Sequence, residues 1–273
     1  MAEEFNNSDI EILVATMNRS SLDFLVPMFP GRQYSEFNIL VINQTTENNI
    51  AQSDHPRIRV INVFDKGLSK SRNLALDNAM GKLCIITDDD VVFKVDFCDH
   101  ITTAFNENRA SALISFRVEK TEGILYKKYP LQRLTTTKLS NRLNIMSIEM
   151  AVNREKVRNA KLKFNEHFGL GAQFCMGEEA IFLNDAKKLG LGLVMEPRVI
   201  AMHSTQDTHN RISVWDKYYV QGALFTALLD YKYYLLVVSK LAHEIRRNKT
   251  KLKQVRIAIK AVGAGRAAFK EII

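Results

Sequence analysis

The sequence predicts an α/β protein built on a mixed, mostly parallel sheet that is flanked by helices. Four short apolar runs have the length and composition of strands; they cover residues 11–15, 38–42, 58–63 and 83–87. The last run, LCIIT, shows no polar alternation, as expected for a strand that is buried on both faces. Helix-like stretches separate these runs, and this alternation is typical of parallel strands joined by helices.

The segment GLSKSRNLALDNAMG, residues 67–81, predicts the helix before the last of these strands. Ser69 has the side chain of an N-cap residue, and Gly81 suits the position after a helix C-terminus. Leu74, Ala75 and Ala79 recur at helical spacing, so the helix should pack one apolar face on the sheet.

The middle of the chain gives weaker signals. We expect strands over 112–118, 145–152, 193–196 and 199–202, and a helix over 178–189. From residue 212 onward the pattern is helical to about residue 262, where Gly263 and Gly265 should loosen it. We therefore predict a sheet domain over 1–210 and a C-terminal helical extension over 211–273.

The composition is that of a folded globular protein, with 46% hydrophobic and 25% charged residues in a chain of 273. The formal net charge of +8 is unevenly distributed. Residues 240–273 contain ten lysines and arginines against two glutamates, so residues 1–239 carry no net charge. A neutral main domain argues against nucleic acid as a partner.

The cysteines and the N-terminus predict a cytoplasmic protein. The start, MAEEFNNSDI, has neither the basic nor the apolar part of a secretory signal. Cys84, Cys98 and Cys175 are odd in number and lack CxxC spacing, which is typical of reduced thiols. No window reaches the roughly 18 uninterrupted apolar residues that would span a membrane.

Three consecutive aspartates, Asp88, Asp89 and Asp90, directly follow the strand LCIIT. Ligands of α/β sheets bind outside the carboxyl ends of the strands, where these side chains would lie. Adjacent carboxylates repel one another unless a cation is present, and Mg²⁺ or Mn²⁺ prefers oxygen ligands. In an extended segment Asp88 and Asp90 would point the same way. A solvated acidic turn is the alternative, but the preceding apolar strand favours a metal site.

A second acidic pair, Glu178 and Glu179, begins the predicted helix over 178–189. Acidic residues in a first helical turn complement the helix dipole by about 0.3–1 kcal/mol, so a purely structural role is one interpretation. The functional interpretation is that one glutamate faces the cleft as a general base, and the other orients it or binds a substrate hydroxyl.

Two further residues are candidates for this site. His203 follows the predicted strand over 199–202 and would serve as a third metal ligand. Arg72 lies in the first turn of the helix before the aspartates, where it would pair with them or with a phosphate. A packing histidine and a surface arginine are the simpler alternatives.

In order and spacing, these segments resemble a family-two glycosyltransferase with the GT-A fold. ILVATMNRS at 12–20 is similar to that family's first strand, an apolar run ending in Thr-x-Asn-Arg. GLSKSRNLALDNAMGKLCIITDDDVVF at 67–93 is similar to its Arg-Asn helix and Asp-x-Asp block. FNEHFGLGAQFCMGEEAIFL at 164–183 resembles its Gly-Glu-Asp segment, and AMHS at 201–204 resembles its late histidine.

The resemblance implies transfer of a sugar, with inversion, from a nucleoside diphosphate donor to an acceptor hydroxyl. The donor would be a UDP-sugar, and the acceptor a glycan or a lipid-linked intermediate of cell-surface polysaccharide assembly. By the same resemblance Thr16, Asn18 and Arg19 would border the base and ribose, and Arg72 would lie near the donor.

The resemblance also implies the metal site and the base. Asp88 and Asp90 would hold Mn²⁺ or Mg²⁺ together with His203, while Asp89 would share the metal or touch the ribose. Glu179 falls where the family carries its catalytic aspartate. A glutamate side chain is one methylene longer than that of aspartate, so Glu178 remains an alternative base.

One departure from the family pattern concerns the nucleotide. The segment VINQTT places Asn43 where the family often carries an acid that reads the base. An amide carbonyl still accepts a hydrogen bond from uracil, so Asn43 stays a candidate for base recognition.

Two other functions compete with sugar transfer. A nucleotidyltransferase also uses an α/β domain and a metal, but it needs a glycine-rich phosphate loop that TMNRSSLDF, residues 16–24, does not provide. A catalytically inactive GT-A-like domain that binds nucleotide sugars is the second alternative.

The basic C-terminal segment has its own apolar pattern. At four-three spacing it carries Leu241, Ile245, Leu252, Val255, Ile259 and Val262. This pattern predicts one amphipathic helix, either packed on the catalytic domain or lying on the anionic cytoplasmic face of the inner membrane.

Overall fold

The computed structural model describes residues 3–135, 138–204, 213–247 and 251–273. The chain divides into two compact units, Met1–Glu166 with Glu178–Thr205, and His167–Gly177 with Gln206–Ile273. The predicted domain boundary at 210 and the predicted start of the helical segment at 212 lie outside the described residues. Within the described ranges, no helix is both long and apolar enough to cross a membrane.

The first unit is a mixed sheet with helices against it, as the sequence predicted. Its described strands are β1 (Ile10–Met17), β2 (Asn38–Gln44), β3 (Ile58–Val63), β4 (Leu83–Asp88), β5 (Val91–Phe93), β6 (Ser111–Glu119), β7 (Met150–Asn153) and β8 (Gly192–His203). The sheet order is β3-β2-β1-β4-β7-β6-β8-β5. Strands β1 to β4 run parallel, whereas β7 is antiparallel to both β4 and β6, and β5 is antiparallel to β8.

Six described helices belong to this unit: α1 (Leu25–Met28), α2 (Leu68–Asn78), α3 (Phe97–Glu107), α4 (Leu139–Arg142), α5 (Arg154–Asn159) and α6 (Glu178–Lys188). Because alternate residues of a strand point to opposite faces, β1 contributes Ile12 and Val14 to one apolar cluster and Leu13 to another. Both faces of the central strands are therefore buried, which explains their continuous apolar sequences.

The structure corrects several element predictions. Gly67, with a φ of 139°, precedes α2, and Ser69 is buried in its first turn rather than capping it. The strand predicted over 145–152 is shorter, because residues Ser147–Glu149 form a 3-10 turn before β7. The two strands predicted over 193–196 and 199–202 are one strand, β8, whose register against β6 shifts.

The second unit contains α7 (Val214–Leu229), α8 (Tyr233–Arg246) and α9 (Val255–Lys270). The single amphipathic helix predicted for this region is therefore wrong, and Leu241 and Val262 of the predicted stripe are buried.

Gly265 lies within α9 and does not loosen it. A Cβ at Gly265 would lie 1.8 Å from the backbone oxygen of Tyr219, and one at Gly222 would lie 2.2 Å from the backbone oxygen of Val262. The two glycines thus allow α7 and α9 to approach closely.

Candidate functional site

The candidate site lies at the carboxyl ends of β1, β4 and β8. Strand β4 ends at Asp88, and Asp89 and Asp90 form the turn that leads into β5. The backbone is therefore not extended through the three aspartates, contrary to the sequence-based expectation. Each carboxylate faces a different partner, which separates the acidic cluster into three environments.

Asp89 contacts the end of β1. Its Oδ2 accepts hydrogen bonds from Arg19 Nη2 at 2.7 Å and Nε at 3.0 Å, and also from the hydroxyl of Thr16. The turn that carries these residues contains Asn18, whose φ of 56° is left-handed and whose side chain is exposed. The structure thus joins Asp89, predicted to share the metal or to touch the ribose, to Thr16 and Arg19, which together with Asn18 were predicted to border the base and ribose.

Asn43 is placed differently from the prediction, because its side chain is fully buried. Its Oδ1 accepts a hydrogen bond from the backbone N–H of Arg19 at 3.1 Å. Its amide nitrogen donates to the Arg19 carbonyl at 2.8 Å and to Asn62 Oδ1 at 2.9 Å. With both donors used and no exposed surface, Asn43 holds the Arg19 turn in place instead of presenting its amide to a base.

Asp90 pairs with His203, at a distance of 3.2 Å between Oδ1 and Nε2. The hydrogen bond to Asp90 raises the pKa of His203, and the same contact lowers the pKa of Asp90. The ring of Tyr126 lies 5.7 Å from the imidazole, and His203 Nδ1 is buried without a hydrogen-bond partner among the described residues.

The predicted metal trio of Asp88, Asp90 and His203 is not assembled as a ligand cluster. Across the described ranges, no three histidine, cysteine or acidic side chains converge in a metal-binding arrangement. Asp88 is drawn away, because its Oδ1 accepts a hydrogen bond from Arg72 Nη2 at 3.1 Å. The adjacent carboxylate and imidazole of Asp90 and His203 still suit Mn²⁺, which accepts oxygen and nitrogen ligands. These two residues therefore fit as a partial site that substrate oxygens would complete.

Arg72 is the centre of a buried ionic network and is only 2% exposed. Besides Asp88, it contacts Glu178 Oε1 at 2.9 Å, Glu179 Oε1 at 3.5 Å and the hydroxyl of Ser147 at 2.6 Å. Burial opposes its charge, but the carboxylates of Asp88, Glu179 and Glu178 more than compensate and raise its pKa. Arg72 thus pairs with Asp88, one of the aspartates that the sequence offered as partners, and its burial leaves little of its surface for contact with a substrate.

The two glutamates at the start of α6 have different environments. Glu178 is 4% exposed, and burial together with the charge of Glu179 raises its pKa from 4.5 to about 7. Glu178 Oε2 is buried and has no hydrogen-bond partner in the described part of the chain. Glu179 presents 21% of its side chain to solvent. Glu179 is therefore the more accessible carboxylate, and Glu178 serves mainly as a partner of Arg72.

Sequence reasoning missed Glu149, whose buried contacts hold neighbouring segments of this site in place. Glu149 is fully buried, and its Oε1 lies 2.7 Å from both Lys127 Nζ and the hydroxyl of Tyr129. It thereby fixes the segment that carries Tyr126 against His203, and it ends the 3-10 turn that carries Ser147. A single buried glutamate outside any recognised pattern gives no signal in the sequence.

A separate cavity of about 400 Å³ lies at the amino ends of β1 and β2. Its lining includes Ile10, Arg32 and Arg57 and none of the predicted site residues. The candidate site therefore lies apart from this cavity, at the carboxyl ends of the strands.

Comparison with known proteins agrees with this architecture. The sequence model described as Glycosyl transferase family 2 matches residues 32–181, more than half of the chain. No curated protein matches the chain by sequence. The crystal structure of S. aureus TarS 1–349 is similar, with a TM-score of 0.60 and 16% identity over 94% of this chain and 79% of that one.

The same TarS region has been solved with ligands. Its complex with UDP-GlcNAc gives a TM-score of 0.60, and its complex with UDP gives 0.58, each at 16% identity and 94% coverage of this chain. These matches cover 80% and 79% of the respective TarS chains. At this identity the likeness shows the fold alone, which is a GT-A fold with additional C-terminal helices. The family match identifies the chain as a member of glycosyl transferase family 2.

Proposed function

We propose that this glycosyltransferase moves a sugar from a UDP-sugar to an acceptor hydroxyl with inversion at the anomeric carbon. The observation that carries the proposal is the ionic network of Arg72, which joins Asp88 of the first acidic cluster to the glutamates of the second. Donor-side and acceptor-side groups therefore lie at one edge of the sheet, as a single displacement requires.

The nucleoside would lie against the end of β1. Arg19 and Thr16 are held by Asp89, and the exposed Asn18 is held by the turn that Asn43 fixes. The UDP and UDP-GlcNAc complexes of TarS support a uridine nucleotide for this fold.

The diphosphate would lie beside Asp90 and His203. When bound, Mn²⁺ or Mg²⁺ would neutralise the charge that develops on the leaving nucleoside diphosphate. Asp90 and His203 would hold the ion from the protein side, and oxygens of the substrate would complete its coordination.

Glu179 would act as the general base. Its carboxylate is partly exposed, so it can accept the proton of the acceptor hydroxyl as that oxygen attacks the anomeric carbon. Arg72 orients Glu179, and the buried Glu178 keeps Arg72 in position. The acceptor is a glycan or a lipid-linked intermediate of cell-surface polysaccharide assembly, which the enzyme would meet at the cytoplasmic membrane surface.

A panel of nucleotide sugars tests the proposal directly. The purified protein is incubated with Mn²⁺ and each donor, and free nucleoside diphosphate and inorganic pyrophosphate are measured in parallel. Release of UDP from one donor, absent in Glu179→Gln, supports sugar transfer. Pyrophosphate release would instead support a nucleotidyltransferase, and donor binding without turnover in any condition would support an inactive binding domain.

A further inference from the structure

Helix α8 and the turn before it expose an apolar face. Tyr231, Tyr234, Leu235 and Val238 expose 66%, 51%, 53% and 64% of their surface, respectively. Their spacing of three and four residues places them on one side of the helix. The adjoining side buries Val237, Leu241 and Glu244. We call the four exposed residues the α8 face.

The α8 face is distinct from the stripe that the sequence predicted. That stripe began at Leu241, which is buried in the structure. Four exposed apolar side chains at helical spacing are unusual on a surface helix, because water contacts each of them. Two of the four are tyrosines, whose rings suit a boundary between apolar and aqueous surroundings.

Basic residues lie around the α8 face. Lys232 precedes α8, and Arg246 and Arg247 at its end are exposed and form no ion pair among the described residues. Residues 240–273 as a whole contain ten lysines and arginines against two glutamates. An apolar helix face with cationic flanks is complementary to an anionic lipid surface.

We propose that the α8 face binds an anionic lipid bilayer, with α8 lying in the plane of the interface. Tyr231, Tyr234, Leu235 and Val238 would enter the headgroup region, while Arg246 and Arg247 would contact lipid phosphates. A helix of 14 residues is about 21 Å long, too short to span the hydrocarbon core. This inference gives the proposed membrane contact a defined surface, and its test needs no sugar donor.

The positive charge beside the α8 face argues against a second copy of the chain as its binding partner. A symmetric pairing of two α8 faces would bring the cationic flanks of both copies together. Like charges across such an interface repel one another, whereas a membrane rich in anionic lipid attracts both flanks.

Vesicle flotation tests the inference. The full chain is mixed with vesicles of phosphatidylcholine alone or with 30% phosphatidylglycerol, and a Leu235→Glu/Val238→Glu variant is compared with wild type. Leu131→Glu is the matched control, because Leu131 is 90% exposed in the first unit. We expect wild type and the control to float only with the anionic vesicles. The partition coefficient of the double variant for these vesicles should be lower by about tenfold or more.

Two outcomes would overturn the inference. One is equal flotation of the double variant and wild type; the other is failure of wild type to float with anionic vesicles. Sedimentation analysis without lipid tests whether a second copy of the chain binds the α8 face instead. If wild type formed a dimer, the double variant did not, and neither bound vesicles, the face would serve self-association.

A second readout does not depend on the double variant. In a Trp215→Phe background, Tyr234→Trp places the only tryptophan of the chain on the α8 face. We expect its emission to shift to shorter wavelength with the anionic vesicles and not with the neutral ones. An unchanged spectrum with both vesicles would contradict insertion of this face.

Discussion

The guanidinium of Arg72 donates a hydrogen bond to Glu178 at 2.9 Å, although the two residues lie 106 positions apart. Both side chains are buried, so the pair fixes the start of α6 relative to α2 and β4. Glu179 is the next residue along the chain, and its place at the start of α6 therefore depends on this buried pair.

Removing the carboxylate of Glu179 tests its role as base. We expect Glu179→Gln to bind UDP with Mn²⁺ as wild type does and to lose turnover by about 10²–10⁴-fold, because general-base catalysis contributes that much. Binding is measured by calorimetry and turnover by UDP release. Glu155→Gln, at an exposed site on α5, serves as control. Wild-type turnover in Glu179→Gln would remove Glu179 from the role.

Asp90 is predicted to act through the metal. Asp90→Ala should weaken UDP binding by about tenfold or more when Mn²⁺ is present, since losing a ligand or its support typically costs that much. Without Mn²⁺ the variant and wild type should bind UDP equally. Titration calorimetry under both conditions measures the difference, with the exposed Asp54→Ala as control. Equal weakening with and without the metal would argue for direct contact with the nucleotide instead.

Glu178 should make stability depend on pH. Its pKa rises from 4.5 to about 7 on folding, so the folded chain holds a proton that the unfolded chain releases. The contribution of Glu178 to stability is therefore highest at low pH and is lost as pH rises through this window. The difference in melting temperature, Glu178→Gln minus wild type, should increase between pH 5 and pH 7.5 and then level off. A constant difference across this range would contradict the shift.

Asn43 is expected to support the nucleotide site through the backbone. Asn43→Ala leaves the N–H and carbonyl of Arg19 without these partners, which should lower the free energy of unfolding by about 1–3 kcal/mol. UDP affinity should fall as well. Chemical denaturation and calorimetry measure the two effects. If Asn43→Ala matched the exposed control Asn48→Ala in both stability and UDP affinity, the buried hydrogen bonds of Asn43 would not support the site.

Two neighbouring glycines of α9 should respond oppositely to alanine. At Gly265 the added Cβ would meet the backbone of Tyr219 at 1.8 Å, so Gly265→Ala should destabilise the chain by about 1–3 kcal/mol. At Gly263 no atom lies within 4 Å of such a Cβ, so Gly263→Ala should stabilise it by about 0.5–1 kcal/mol. Thermal unfolding measures both. A shift of the same sign in the two variants would contradict the close approach of α7 and α9.

The sheet was the most predictable part of the structure. The strands that lie near the middle of the sheet are buried on both faces, so their sequences are continuously apolar and stand out. Strand β5 has three residues, too few for any period to show. The sequence predicted two strands where the structure has one, β8, and Pro197 lies within it at a point where the register against β6 shifts.

The sequence predicted which residues form the candidate site better than it predicted which contacts each of them makes. The aspartates, the glutamates and Arg72 stood in recognisable positions, and the pairing of Arg72 with Asp88 follows from opposite charge. The distribution of three adjacent aspartates among Arg72, Arg19 and His203 depends on a turn that their sequence does not specify. Asn43 was assigned to the base because the resembled family often carries an acid at that position, and only its burial and its hydrogen bonds reveal that its amide is occupied.

The ladder between β5 and β8 pairs Val91 with His203, next to Asp90. The spacing of Asp90 and His203 is thus set by main-chain hydrogen bonds, and replacing either side chain should leave the other where it is. An insertion is a different matter, because successive residues of a strand point to opposite faces. One extra residue between Met202 and His203 would take the place opposite Val91 and turn the imidazole to the far side of the sheet, while Met202 and Ala201 kept their partners in β5. Such an insertion would separate folding from function.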